Sequence, residues 1–334
     1  MEDLERVKFW EGKRVFVTGA TGVVGLNLVN TLLEHNADVI TLVRDWVPRT
    51  KILGSWLADS GRATVVRGEL EDYNCILRTL AEYEIEYVYH LGAQTIVNVG
   101  SRSPLTTFKA NIEGTWNLLE AARVLNTYSD TIKCICVASS DKAYGTSKIL
   151  PYTEDMPLNG EHPYDVSKSC TDLITQSYAG SYGLPTCVAR MGNIYGPGDL
   201  NFNRVIPGTI KALFEGKAPR IRSDGTPIRE YFYVDDAVDA YLTMAEMSDK
   251  KKIFGEAFNF SSGEKIRVID LVNRIISRFG SEVKPVILNE SRNEIENQYL
   301  SIEKAKKTLG WSPKYSVDEG LARTIPWYTK KVFA

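Results

Sequence analysis

The sequence holds little from which to build a metal site or a disulfide framework: three histidines, and five cysteines scattered over 334 residues. Cys75, Cys134, Cys136, Cys170 and Cys187 are odd in number, which fits reduced thiols. Cys134 and Cys136 lie in KCICVA, a strand-like run whose alternate residues share a face. No second Cys or His pair completes a closed tetrahedral set, so packing is their expected use and no metal is expected. Long apolar runs are missing too. Nothing approaches the roughly 18 residues of a membrane span, and the opening MEDLERVKFWEGK has no basic segment followed by an apolar one, as a secretory signal would. The expected location is therefore cytoplasmic, away from any membrane. Nor is there an excess of positive charge: the formal net charge is -2, which excludes a general basic field for nucleic acid.

What is present suits a globular chain, since 43% hydrophobic and 25% charged residues can form a full core and a solvated surface. RVFVTG (14–19) is an apolar strand entering a glycine turn, followed by the helical spacing of VVGLNLVNTLLEHN and a second strand, DVITLV. The alternation continues through ATVVRG, LEDYNCILRTLAEY, EYVYHLGA, NIEGTWNLLEAARVL and IKCICVASS. Such repetition predicts an α/β fold with a doubly wound parallel sheet. After GLPTCVARMGNIYG the residues Gly196, Pro197, Gly198, Pro207 and Gly208 crowd together and regular alternation stops, so a second lobe begins near Met191. EYFYV (230–234) before the helical DDAVDAYLTMAEM reads as a return to the sheet. The expected division is a dinucleotide-binding domain over 1–190, its sheet completed by about 229–262, and a substrate lobe over 191–228 and 263–334. The lysines of SDKKKI (248–253) read as a solvated turn.

Gly19, Gly22 and Gly25 lie three apart, between a strand and a helix. In that context glycine permits the tight turn, the approach of backbone to a pyrophosphate and close helix packing, while the helix N-terminus supplies N–H donors. At the end of the second strand, where an acidic residue would accept the ribose hydroxyls of NAD, the chain reads Arg44 then Asp45. A guanidinium there favours a 2′-phosphate, and a one-residue shift brings in Asp45, so NAD and NADP both stay open. Glu69, after the third strand, is a candidate for the adenine amino group.

Two stretches place Lys four residues after Tyr: Tyr144 with Lys148, and Tyr164 with Lys168. Tyr144 runs into the turn-like YGTSK, whereas Tyr164 follows Pro163 at the start of a periodic helix, on which it shares a face with Lys168. A phenol beside an ammonium is expected to have its pKa lowered toward neutrality, which makes Tyr164 an acid/base for alcohol–ketone interconversion. Ser140, at the end of the preceding strand, is expected at the same substrate oxygen.

TGATGVVG, HLGAQTIV, NIEGTWNLLEAAR, ASSDKAYG, PYDVSK, RMGNIYGPG, REYFYVDDAVDAY and LGWSPKYSVDEGL resemble, in order from about residue 12 to 325, the motifs of the nucleotide-sugar epimerase/dehydratase branch of the extended short-chain dehydrogenases. The resemblance implies a Rossmann domain, a small C-terminal lobe for a nucleoside-diphosphate sugar, tightly held NAD or NADP regenerated in each cycle, and a homodimer. The expected cofactor contacts are Gly19, Thr21, Gly22, Val23, Val24, Gly25, Leu91, Ala93, Asn111, Tyr164 and Lys168 on these motifs, with Arg44, Asp45, Glu69 and Leu70 at the ends of the second and third strands. For the substrate they are Gln94, Asn193 and Arg229; Arg204 in NFNRVIPG and Arg292 in SRNEI are further candidates, either for phosphate oxygens, which the planar fork of arginine suits, or for surface salt bridges.

Ser140 is followed by Asp141 and Lys142, two titratable groups where 4-epimerases usually carry small or neutral residues. Sugar 4,6-dehydratases need such groups to remove the C5 proton and protonate the departing C6 hydroxyl. Asp then Lys is similar to CDP-glucose 4,6-dehydratases, which implies Asp141 as acid toward the C6 oxygen, Lys142 assisting at C5, and a CDP-hexose as substrate. The glycine turn, ATGVVG, departs from the bulkier, Lys-containing form of those enzymes. The expected activity is a nucleotide-sugar 4,6-dehydratase making a 4-keto-6-deoxy sugar. A 4-epimerase using the same Ser140, Tyr164 and Lys168 is the alternative, and a non-catalytic dinucleotide sensor is a third.

Overall fold

The computed structural model describes residues 2–45, 63–96, 100, 102–290 and 295–333. In chain order the first half comprises α1 (Glu2–Trp10), β1 (Arg14–Thr18), α2 (Val23–Glu34), β2 (Asp38–Val43), β3 (Ala63–Arg67), α3 (Tyr73–Glu82), β4 (Tyr87–His90), α4 (Pro104–Phe108), α5 (Gly114–Tyr128) and β5 (Cys134–Ala138). It continues with α6 (Pro163–Tyr182), β6 (Thr186–Met191), β7 (Ile194–Tyr195), α7 (Val205–Phe214), β8 (Arg220–Ile221), β9 (Ile228–Glu230), β10 (Phe232–Tyr233), α8 (Val234–Lys251) and β11 (Ala257–Phe260). After β11 come β12 (Lys265–Arg267), α9 (Val268–Arg278), β13 (Val286–Ile287), β14 (Asn297–Gln298), α10 (Glu303–Leu309) and α11 (Val317–Trp327), which runs into a π-helical turn (Tyr328–Val332).

Seven parallel strands make the central sheet, in the order β11-β6-β5-β4-β1-β2-β3. The expected α/β, doubly wound architecture is thus the observed one. Strand side chains alternate between faces, and each face has its own apolar layer. Val15, Val17, Tyr89, Cys134 and Cys136 pack on one side with Trp10, Leu28 and Tyr241. Phe16, Val88, Ile135 and Val137 pack on the other with Ile76, Leu118 and Leu184. Cys134 and Cys136 share a face as their spacing requires, with sulfurs 3.7 Å apart, and all five cysteines are free.

The stretch 230–234 behaves differently from its sequence reading. Ile228–Glu230 pairs with β12 and β14 in a separate three-stranded sheet, and Phe232–Tyr233 pairs with β7. The strand that rejoins the central sheet is Ala257–Phe260, every residue of which is buried, as a strand covered on both faces must be. Around the smaller sheets a third apolar cluster joins Ile206, Ile210, Tyr231, Leu271, Ile275 and Leu321. Among the described residues no helix is long and apolar enough to cross a membrane.

Helix α6 is bound to the sheet by an ion pair. Arg190 on β6 donates two hydrogen bonds to Asp172 on α6, Nε to Oδ2 at 2.8 Å and Nη2 to Oδ1 at 3.0 Å, with the two side chains 3% and 0% exposed. The remaining terminal nitrogen donates to the Tyr144 hydroxyl at 2.8 Å and to the Glu154 carbonyl at 3.2 Å. Tyr144 in turn donates to Asn259 Oδ1 on β11 at 2.7 Å. Removing one partner of a buried pair strands the other charge. Asp172→Ala is expected to cost about 3–5 kcal/mol in urea unfolding, whereas Asp172→Leu with Arg190→Met should recover most of that loss; equal losses would show that the pair itself is not the source.

Candidate active site

The carboxyl ends of the central strands converge where the strand order reverses between β1 and β4, the crevice in which open α/β sheets bind ligands. Thr18 and His90 stand opposite each other there. Thr115 donates its hydroxyl to the Asn111 carbonyl at 2.6 Å, so His90 Nε2 donates to Thr115 at 3.1 Å and Nδ1 accepts from Thr18 at 3.0 Å. Burial, then Lys168, lowers the His90 pKa to about 3 and keeps the ring neutral. Thr18 also accepts from the Gly92 amide at 3.0 Å, which fixes the loop after β4 beside the glycine turn.

Gly19 leaves β1 with φ +74°, and a Cβ on it would lie 2.7 Å from the Leu91 and Gly92 backbone. A Cβ on Gly25 would sit 2.2 Å from the Gly19 carbonyl oxygen, so α2 reaches the turn only without one. Gly22 is the helix N-cap and is exposed, with no side-chain cap on the first amides. The turn therefore fits a dinucleotide: a bare glycine backbone leading into an uncapped helix N-terminus. Thr21, Val23, Val24, Leu91 and Ala93 are half-buried around it. Leu70 packs under Gly92 and Gly114, whose added Cβ atoms would lie 3.0 Å and 2.6 Å from it. Arg44 and Asp45 follow β2 directly and pair with each other at 3.4 Å, both more than half exposed. Glu69 is exposed beyond β3.

Two expected contacts are engaged elsewhere. Asn111, in a π-helical turn (Lys109–Glu113), accepts from the Gln94 amide at 2.6 Å and donates to the Gln94 carbonyl at 3.1 Å and to Ser167 at 2.8 Å. It acts here as a clamp on the loop. The Gln94 side chain accepts from the Ile96 amide at 3.0 Å.

Pro163 opens α6 at its first position, and Tyr164 and Lys168 follow one turn apart. Lys168 is buried and donates to the Ala138 carbonyl at 2.7 Å, at the very end of β5. Burial lowers its pKa to about 8. The Tyr164 phenol departs from expectation: burial pushes it up to about 12, with Ser140 and then Arg204 as the groups that pull it down. The rival pair is apart, Tyr144 buried on Tyr152 with rings stacked at 4.8 Å and Lys148 exposed.

Ser140 caps a 3-10 turn over Asp141–Tyr144, its hydroxyl accepting from the Lys142 amide at 3.2 Å and donating to Asp141 Oδ1 at 3.0 Å. Asp141 is buried beneath Gly192, where a Cβ would lie 2.1 Å from its carboxylate. Burial raises the Asp141 pKa, opposed chiefly by Lys142, then Ser140 and Arg229. Lys142 reaches Gln298 Oε1 on β14 at 3.4 Å, and also faces Asp165, whose pKa burial raises and Lys142 lowers. Neither Asp165 nor Gln298 is evident from the sequence. Asp165 sits visibly beside Tyr164 but only the fold turns it toward Lys142, and Gln298 lies in ENQYL, which carries no chemical motif.

Of the substrate candidates, Arg204 pairs with the buried Asp199 at 3.1 Å and lies near enough to Tyr164 to act on its pKa. Arg229 is buried on the carbonyls of Ile228, Ile295 and Glu296. Asn193, at φ +43°, donates its amide to the Glu230 carbonyl at 3.0 Å. Arg292 lies outside the described residues.

The family described as GDP-mannose 4,6 dehydratase matches residues 16–324. The chain is 28% identical to a CDP-glucose 4,6-dehydratase of Salmonella typhimurium over 96% of its length and 91% of the relative's. It is 29% identical to a UDP-glucose 4-epimerase of Mycolicibacterium smegmatis, over 95% and 99%. A dTDP-glucose 4,6-dehydratase of Streptomyces venezuelae, solved with NAD bound, superposes with a TM-score of 0.84 at 25% identity, covering 95% of this chain and 97% of that one.

The buried carboxyl has a pH signature. A carboxyl whose folded pKa is raised stabilises the fold below its unfolded value, and that stability is lost as pH rises through the folded value. Thermal unfolding from pH 4 to 8 should thus show Asp141→Asn gaining on the parent chain as pH rises; a difference constant with pH would mean that Asp141 ionises freely in the fold.

Proposed function

The chain belongs to the GDP-mannose 4,6 dehydratase family, and on that premise we propose that it is an NAD-dependent nucleotide-sugar 4,6-dehydratase forming a 4-keto-6-deoxy sugar. The observation that carries this reading is Asp141 with Lys142: a buried carboxyl with a raised pKa, hydrogen-bonded to Ser140 and adjoining a lysine. Redox at C4 alone needs Ser140, Tyr164 and Lys168. Loss of water also needs an acid for the C6 oxygen, and Asp141, biased toward its protonated form by burial, suits that task. Lys142 assists proton removal at C5. Tyr164 exchanges the C4 hydroxyl proton, and Lys168 holds a cation beneath it. Bound NAD would supply the hydride acceptor at C4 and the donor at C6, and Gly19, Gly22 and Gly25 with the first turn of α2 would hold it.

Arg204, Arg229, Asn193 and Arg292 are assigned to the nucleoside diphosphate, and Gln94 to the sugar. A CDP-hexose is the first substrate to try, because the Asp141–Lys142 order is similar to that of CDP-glucose dehydratases and one such enzyme is among the relatives. The likeness to UDP-glucose 4-epimerases favours the second reading, C4 inversion by the same triad. A homodimer through α4, α5 and α6 is supported by Leu105, Trp116, Leu173 and Tyr182, large apolar side chains left exposed on those helices.

Incubation with CDP-, dTDP-, UDP- and GDP-hexoses in deuterated water separates the readings by NMR. Dehydration removes the C6 hydroxyl and puts deuterium at C5; inversion at C4 without solvent label would replace the dehydratase with the epimerase, and no turnover of any sugar would leave a dinucleotide sensor. Lys142→Ala is expected to slow elimination more than hydride transfer.

A further inference from the structure

Gln298 is 1% exposed, and its two amide atoms are treated unequally. Oε1 accepts from Lys142 Nζ at 3.4 Å, while Nε2 is buried with no hydrogen-bond partner among the described residues. An amide flip would turn the two N–H bonds onto the ammonium, so the orientation follows from the lysine. A buried, unpaired N–H group destabilises a fold, and a leucine of similar volume would avoid that cost. What glutamine provides at this position is one neutral acceptor aimed at Lys142.

The backbone that carries it is fixed on both sides. Gln298 lies opposite Arg229 in the parallel pairing of β14 with β9. Beyond it, Leu300 N donates to Glu230 Oε2 at 2.8 Å, while Tyr152 N donates to the Tyr299 carbonyl at 3.0 Å and Ser301 N to the Tyr152 carbonyl at 2.8 Å. Lys142 itself is a flexible stem with two carboxylates, Asp141 and Asp165, on its own side of the crevice. Lys142 already lowers the pKa of both, and an ammonium drawn closer would favour the ionised form of Asp141 over the acid. An uncharged acceptor across the crevice holds the ammonium away without adding a third negative charge.

We propose that Gln298 is a positioning residue for elimination, reaching from the small lobe to hold Lys142 at the sugar. The inference rests on the role given to Lys142 above. It also makes elimination depend on seating of the lobe that carries β14, while the hydride step, built on β5 and α6, does not.

The test uses the full chain with its NAD and the nucleotide sugar that it turns over, following reduced cofactor in a single turnover and deuterium entry at C5 by NMR. Gln298→Leu is expected to melt at or above the parent temperature, to form reduced cofactor within about twofold of the parent rate, and to lose elimination by about tenfold or more. Gln298→Asn, which keeps the amide but withdraws it by one methylene, should show the same split should the leucine variant fail to fold. The double variant with Lys142→Ala should be no slower than Lys142→Ala alone, since the glutamine acts through the lysine. Parent-like elimination in Gln298→Leu or Gln298→Asn beside a slow Lys142→Ala overturns the inference and leaves the dehydratase reading standing. Parent-like elimination in Lys142→Ala overturns both the lysine's role and this inference. An equal loss of hydride transfer and elimination in the folded glutamine variants overturns it as well.

Discussion

The buried pair of Asp172 and Arg190 is the constraint from which the rest of the crevice is hung. Asp172 lies one helical turn beyond Lys168 on α6, and Arg190 lies on the sheet strand next to β5. Through them the helix that carries Tyr164 and Lys168 is held against the sheet, and through Tyr144 the same guanidinium holds the turn that carries Asp141 and Lys142. Two charges removed from water are an uneconomical way to hold a helix. What they provide here is geometry, because one planar cation with five donors can hold a helix, a turn and a loop at fixed angles.

Around that frame the electrostatics follow from burial. Lys168 loses solvent and its pKa falls to about 8, while Asp141 and Tyr164 lose solvent and theirs rise. The three groups are all displaced toward their neutral forms, by the same cause. Gln298 on β14 meets Lys142, so the turn after β5 is touched by a strand more than a hundred residues away along the chain.

Local features of the site were legible in the sequence because their causes are local. The glycine spacing is a statement about which backbone positions lack room for a Cβ, and Gly19 and Gly25 lack it. Pro163 marks a helix start, which separated Tyr164 with Lys168 from the decoy at Tyr144. Where the reading failed, the deciding contact was distant. EYFYV has the pattern of a core strand, yet its partners are distant: Ile228–Glu230 pairs with β12 and β14, and Phe232–Tyr233 with β7. Asn111 holds the Gln94 backbone and Ser167, and Arg229 holds backbone carbonyls, a matter of where loops 94–96 and 295–296 come to lie. The phenol of Tyr164 was expected to fall under the influence of Lys168; burial, which a sequence does not state, raises it instead, and the groups that pull it down are Ser140 and then Arg204.

By itself the sequence determined the order of the elements, the glycine turn, the helix that bears Tyr164 and Lys168, and the titratable pair after Ser140, since periodicity, steric room and helix starts operate within a few residues of chain. Only the tertiary structure decided which strand closes the sheet, that Lys142 acts on Asp165 as well as on Asp141, and that Gln298 meets it from β14. Those outcomes depend on desolvation and on contacts between segments far apart along the chain, and both exist only once the two apolar layers and the lobe have packed.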